Sequence, residues 1–285
     1  MKHLKPDFRW SFSKLASFRQ CPMSFYLTYI QEAHEDELPN FWGLYGSFCH
    51  KLLEEWALNK TPAFCLAQEY KAGYDDAVTM PPPSYLKGYG EKSYNAGLQY
   101  FESFDGFGDE WDVVSAEKKF VLDIAGYKVS GIADLVLKHR QTGELWVIDH
   151  KTKSSSSLRK ELDIYRKQLY LYALWCKNEF GVFPARISFN LLKENKWIHE
   201  DFSERELEKT KRWFVDTIHE IEACDIFEDW TTCVKETDQK SNFFCSQLCD
   251  VSSICDAYQV VRGREIEAWK AKRQAEEDAL IYGYS

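Results

Sequence analysis

The sequence predicts an α/β or α+β protein with one main domain, built as a mixed β-sheet flanked by helices. Three observations predict it. Apolar residues keep helical spacing through the first third, the period shortens to that of strands from Trp111 onward, and a helical stretch then separates two groups of strands. At 285 residues the chain is long enough to bury a substantial core with appended elements.

Ser11 or Ser13 can cap a first helix carrying Leu15 and Phe18, and Pro22 interrupts it and opens the next. That second segment, Ser24 to Ile30, is strongly aromatic, and residues 34–40 form a polar connector. Helical spacing resumes from Leu44 to Asn59, with Phe48, Leu52 and Trp56 four apart. Residues 80–90 hold three prolines and two glycines and are a loop. Four short strands are predicted from Trp111 to Thr152, with turns near Ala125-Gly126 and at Gln141-Thr142-Gly143. The last of them, Leu145 to Ile148, is apolar and β-branched enough to be central. Ser154 to Ser157 then form a loop before a helix from Leu158 to Asn178. Residues 185–192 and 196–202 are a hairpin of two strands, and Ser203 with Glu206 is a capping box for a helix running to Ala223. A charged helix starts at Glu265. The expected divisions are an N-terminal helical region at 1–110, a core at 111–223 and a C-terminal segment at 224–285.

Composition narrows the function classes. An apolar fraction of 45% and an aromatic fraction of 16% exclude a disordered chain. No apolar run approaches a bilayer span and the opening residues lack a signal-peptide core, so a cytoplasmic location without membrane contact is expected. Nine cysteines in a reducing compartment are more often buried, metal-bound or reactive than paired. A net charge of −9 gives nucleic acid no general attraction, so any such binding must rest on local basic charge. Such charge exists between Lys151 and Lys167, where six basic residues, among them Arg159, Lys160 and Arg166, face two acidic ones. Phosphates could approach there, or the stretch is a solvated helix face.

The chemistry-bearing residues are Asp134, Asp149 and Lys151. Two carboxylates at adjacent strand positions offer the hard oxygen ligands of a Mg²⁺ or Mn²⁺ site, with room for water and a phosphate. Lys151 lies two residues beyond Asp149, so in extended chain both side chains share a face. A lysine there can position water and neutralise charge developing on phosphorus. Taken singly, each aspartate could be a solvated strand end.

Residues 131–153, with Gly131-x-x-Asp134 followed by Asp149-His150-Lys151-Thr152, resemble the RecB-like branch of the PD-(D/E)XK nucleases. That family's tyrosine is replaced here by His150. Gly46-x-x-x-His50 resembles an upstream motif whose histidine binds metal, and Gln168 and Tyr172 match a Gln-x-x-x-Tyr motif that contacts DNA and supports the site. The opening around Ser11, Leu15 and Cys21-Pro22 is similar too, and Glu117 falls where relatives carry an acid. The resemblance implies a restriction-endonuclease-like core. It implies Mg²⁺ or Mn²⁺ held by His50, Asp134, Asp149 and the carbonyl of His150, with Asp134, Asp149 and Lys151 catalytic. Glu54, one turn beyond His50, could hold the imidazole.

In the cluster-bearing members of that branch, one early and three late cysteines bind [4Fe–4S]. Carried over, these are Cys21, Cys245, Cys249 and Cys255. The first late pair is spaced by three residues where many relatives have two, and a structural Zn²⁺ is the competing occupant. Cys49, Cys65, Cys176, Cys224 and Cys233 are read as core or partly buried residues. The expected function is a metal-dependent DNA exonuclease acting on single-stranded ends. The alternative is a non-catalytic DNA-binding or scaffolding subunit of a recombination or repair complex. No GxxxxGK[ST] loop is present, so ATP-driven unwinding would need a helicase partner.

Overall fold

A computed structural model describes residues 4–5, 7–33, 40–235 and 242–282. The connector expected at 34–40 lies outside them except for Asn40. The chain forms two compact units, one comprising Asp7–Leu15 and Pro39–His219, the other Met1–Pro6, Ala16–Leu38 and Glu220–Ser285.

The larger unit is built on a six-stranded mixed sheet. Its strands are β1 (Trp10–Ser11), β2 (Trp111–Ile124), β3 (Tyr127–His139), β4 (Leu145–Lys151), β5 (Arg186–Leu191) and β6 (Lys196–Asp201). The order is β1-β3-β4-β5-β6, with β2 also paired to β3. The α/β expectation is met, but residues 111–151 make three strands rather than four. Residues 111–124 are one long strand with a register shift between Val113 and Ser115, and that irregularity breaks the alternation as two strands would. The β2–β3 turn falls at Ala125 and Gly126, both left-handed at φ 52° and 89°, which matches the twist of a two-residue hairpin.

Strand β4 is buried along its length as far as His150, antiparallel to β3 and parallel to β5. A parallel neighbour requires a crossover. It is supplied by α6 (Ser155–Lys160) and α7 (Leu162–Phe180), separated at Glu161. The expected serine loop is thus the first turn of α6, because the Ser154 side chain accepts from the Ser157 N–H and caps it. The β5–β6 hairpin forms as expected, turning through Asn195 at φ 46°.

The helices α3 (Phe41–Ala57), α4 (Leu66–Ala77) and α5 (Tyr89–Ser103) share an aromatic core that includes Phe41, Tyr45, Phe48, Tyr70, Tyr100 and Phe101. Asn40 opens α3 by accepting from the Gly43 N–H at 2.9 Å, so the helix starts before the expected Leu44. Helix α8 (Glu204–Ala223) follows β6 as its capping signature predicts.

The smaller unit joins segments from both parts of the chain. Helix α1 (Phe12–Gln20) reaches into it, followed by α2 (Pro22–Phe25) and a π-turn at Tyr26–Ile30. Phe25 stacks on Trp230 at 6.1 Å and meets Phe18 edge-on at 5.8 Å. Arg19 donates twice to Glu220, at 2.7 and 2.8 Å. Helices α9 (Phe243–Gln247) and α10 (Asp256–Tyr282) complete the unit, α10 starting earlier than the expected Glu265. Among the described residues, no helix is long and apolar enough to cross a membrane.

Gly97 on α5 is where the aromatic core meets backbone. A Cβ there would lie 2.7 Å from the Tyr45 hydroxyl and closer still to that of Tyr70. Those hydroxyls donate to the carbonyls of Ser93 and Tyr94, at 2.9 and 3.1 Å. Gly97→Ala should therefore destabilise the protein by about 1–3 kcal/mol through overpacking. An urea midpoint equal to wild type would show that the tyrosines can yield.

Candidate active site

Strand β4 delivers two of the sequence-predicted residues to one place. Asp149 is fully buried at its end, and the Lys151 ammonium lies 2.6 Å from Asp149 Oδ2. That ion pair falls outside hydrogen-bond angles, and neither oxygen of Asp149 has a hydrogen-bond partner among the described residues. From β3, Asp134 Oδ2 accepts the His150 N–H at 2.9 Å, which ties the two strands at the site.

Helix α3 brings His50 to the same point. Its Nε2 is 2.9 Å from the His150 carbonyl, and its Nδ1 lies 3.4 Å from Glu117 and 3.5 Å from Asp134. Burial works against a proton on His50, but Glu117 and Asp134 outweigh it and hold its pKa above the ordinary value. Metal binding at this imidazole would therefore release a proton. Glu54 is no partner of the ring and lines the neighbouring cleft instead. The motif glycine Gly46 is not demanded by contact, since a Cβ would meet Thr152 Oγ1 at an ordinary 3.6 Å.

Glu117 completes the group. Its φ of 45° is left-handed, a costly conformation for glutamate that persists only when the surroundings enforce it. The ligand atoms of His50, Glu117 and Asp134 all lie within 4.8 Å of one another. Nitrogen and carboxylate donors, together with an unpartnered buried carboxylate at Asp149, fit a hard divalent cation such as Mg²⁺ or Mn²⁺.

Helix α7 supplies the supporting residues. Lys151 donates to Gln168 Oε1 at 3.3 Å, and Gln168 Nε2 donates to the Tyr172 hydroxyl at 2.7 Å. In this geometry the Gln-x-x-x-Tyr pair orients the lysine. Burial works against a charge on Lys151, but Asp149 and Asp134 keep its pKa raised. The His150 ring is buried, which depresses its pKa well below normal, and it lies 3.1 Å from Asn190 Nδ2. Its carbonyl meets His50 Nε2, and the two imidazole rings lie edge to face at 5.7 Å.

The basic stretch divides. Arg159 and Lys160 are exposed, whereas Arg166 is engaged by Glu200 and Asp163. Lys153 is likewise bound to Glu161.

In the smaller unit, Cys21, Cys245, Cys249 and Cys255 line one small cavity. A fifth cysteine, missed from sequence, adjoins them. The Cys233 N–H donates to Cys21 Sγ at 3.4 Å, and its own sulfur lies 3.7 Å from Cys245 Sγ. Burial pushes the Cys249 and Cys255 thiols up, so their thiolates need a compensating cation.

Fold and site together define a nuclease. The chain belongs to the PD-(D/E)XK nuclease superfamily, whose family model matches residues 9–256. Among solved structures it is similar to a candidate exonuclease from Eubacterium rectale, with 11% identity, 75% of this chain and 80% of that one covered, and a TM-score of 0.41. It is also similar to SSO0001, with 18% identity, coverage of 86% and 95%, and a TM-score of 0.32. No curated relative matches the sequence.

Burial pushes Asp149 up to about 6, against the pull of Lys151, from an ordinary 3.8. A carboxyl that titrates higher folded than unfolded favours the fold when protonated. Its contribution is full below about pH 4 and lost as pH rises through about 6. Mn²⁺ binds the ionised form, so its thermal stabilisation should grow from pH 5 to pH 7.5, reaching about 2.7 kcal/mol at a hundred times Kd. Asp149→Asn should abolish that stabilisation. An equal Mn²⁺ effect at pH 5 would mean Asp149 is already ionised there.

Proposed function

We propose that this chain is a Mg²⁺- or Mn²⁺-dependent deoxyribonuclease of the RecB-like branch, hydrolysing phosphodiester bonds at single-stranded DNA ends. The observation that carries the reading is the fully buried Asp149 carboxylate, ion-paired with Lys151 at 2.6 Å yet without a hydrogen-bond partner among the described residues, near Asp134 and His50, which with Glu117 form a group able to hold a metal. A chain would not keep such a charge in its core for stability, since burying it is costly unless something compensates.

His50, Glu117, Asp134, Asp149 and the His150 carbonyl are the groups to hold the metal. When bound, a divalent metal supplies Lewis-acid charge at the phosphate and an acidified water. Lys151, kept charged by Asp149 and oriented by Gln168, offers an N–H to the attacking water or a phosphoryl oxygen. Tyr172 holds Gln168 in place. Asp134 fixes the strand end through the His150 N–H, so the carbonyl of the same residue points at the site.

Labelled single-stranded DNA should be degraded with Mg²⁺ or Mn²⁺ and spared in EDTA. Asp149→Ala and Lys151→Ala should each lower kcat at least about a hundredfold, the scale of losing one pre-organised charge. Cleavage at wild-type rate by either variant removes the assignment.

We further propose that Cys21, Cys245, Cys249 and Cys255 bind a [4Fe–4S] cluster that acts as a structural staple. Four soft thiolates lining one cavity suit iron–sulfur or zinc over hard cations. Linking residues so far apart in sequence removes chain entropy on the order of 5 kcal/mol. Anaerobically purified wild type should carry iron and sulfide with broad visible absorbance, and Cys21→Ser should lose both and melt lower. Zinc without iron would make it a zinc staple, and no metal in the wild type would end the idea.

A further inference from the structure

We infer that DNA reaches the active site along a groove bordered by β2 and β3, where Arg9 and Lys119 hold the phosphate beside the scissile one and Val121 and Ile132 carry an unpaired base. The inference rests on the nuclease reading above and assigns the contacts beyond the scissile phosphate to residues outside the basic stretch at 151–167.

The groove measures about 690 Å³ and extends from Glu117 and Asp134 to Arg9 and Lys119. Beyond those two carboxylates, Arg9 and Lys119 are the charged side chains that line it. Both are exposed, and neither forms an ion pair among the described residues. Arg166 and Lys153, by contrast, are already neutralised by glutamates. In a chain of net charge −9, two unpaired cations on a path leading to the metal-facing carboxylates mark where a polyanion gains most.

The wall beside them is apolar and wet. Val121 is 50% exposed and Ile132 43%, and Lys119 stands directly across the ladder from Ile132. A duplex hides its base faces in the stack and would present only backbone to this surface. An unpaired base can cover the two side chains while its phosphate meets Lys119. Phe120 forms the groove floor, stacked on Trp175 at 5.5 Å. It fits because Gly131, its ladder partner, has no side chain, and a Cβ there would overlap the ring. The glycine of Gly131-x-x-Asp134 thus shapes the path to the metal site.

The test is fluorescence anisotropy of a labelled oligothymidylate in EDTA, across a salt series, with melting curves to verify folding. Arg9→Ala combined with Lys119→Ala should flatten the log–log salt slope by about 0.7, the loss of one neutralised phosphate on a single strand. Arg159→Ala with Lys160→Ala should leave the slope unchanged. Val121→Ser with Ile132→Ser should weaken single-strand binding about threefold or more at constant slope, since only apolar area is lost. Blunt duplex should bind more weakly than single strand. A wild-type slope in the folded Arg9/Lys119 variant, or duplex bound as tightly as single strand, overturns the groove assignment. Cleavage that still requires Asp149 in that case leaves the nuclease reading standing. Wild type that neither binds nor cleaves DNA removes both.

Discussion

A carboxylate with no solvent and no hydrogen-bond partner is among the least favourable groups a fold can contain, and Asp149 is one. The Lys151 ammonium at 2.6 Å offsets part of that cost, and Asp134 adds a second negative charge nearby. The surrounding structure is arranged to hold this instability in place. Strand β4 must be central, because only a strand covered on both faces can bury its last residues so completely. Its parallel pairing with β5 requires the α6–α7 crossover, and that crossover brings Gln168 and Tyr172 to the lysine. The same demand explains α3, whose aromatic face anchors it while His50 looks across at the carboxylates.

Glu117 shows the constraint acting on backbone. Strand β2 is long and continuous, yet at this residue it adopts a left-handed conformation that glutamate disfavours. The outcome is a carboxylate aimed at His50, 3.4 Å away. Strain at a residue whose carboxylate lies with His50 and the buried Asp134 is what a site able to hold a cation looks like before the cation is considered. The groove and the group that could hold a metal thus share Glu117 and Asp134.

Much of this was legible in the sequence, for physical reasons that differ by residue. Asp149 and Lys151 could be read because an apolar, β-branched run is a strong sign of a buried strand and period two places both side chains together. His50 could be read only through resemblance, since nothing in helical spacing distinguishes a ligand from a surface histidine. Glu117 carried no local signal of its left-handed turn, and the register shift near the start of its strand was equally silent in the sequence. The ion pairing of Arg166 could not be read because its partner, Glu200, sits on β6, 34 positions away. Cys233 was missed for the same reason, as the sulfur its N–H meets is 212 positions earlier. Helix limits were read late at α3 and α10 because capping by Asn40 and the start at Asp256 depend on local geometry rather than on apolar period.

The smaller unit is assembled from segments near both ends of the chain, and this has a consequence for synthesis. Ribosomes extend chains at about 5–20 residues per second, so Cys21 emerges roughly 10–50 s before Cys245. During that interval the whole of Pro39–His219 leaves the ribosome, and the nuclease unit can fold while the cysteine unit lacks half its parts. Cys21 is then exposed to the surroundings before Cys245, Cys249 and Cys255, which line the same small cavity, have been made. Translation speed thereby enters the maturation of this protein, because the smaller unit can close only after residues from Glu220 onward have been made.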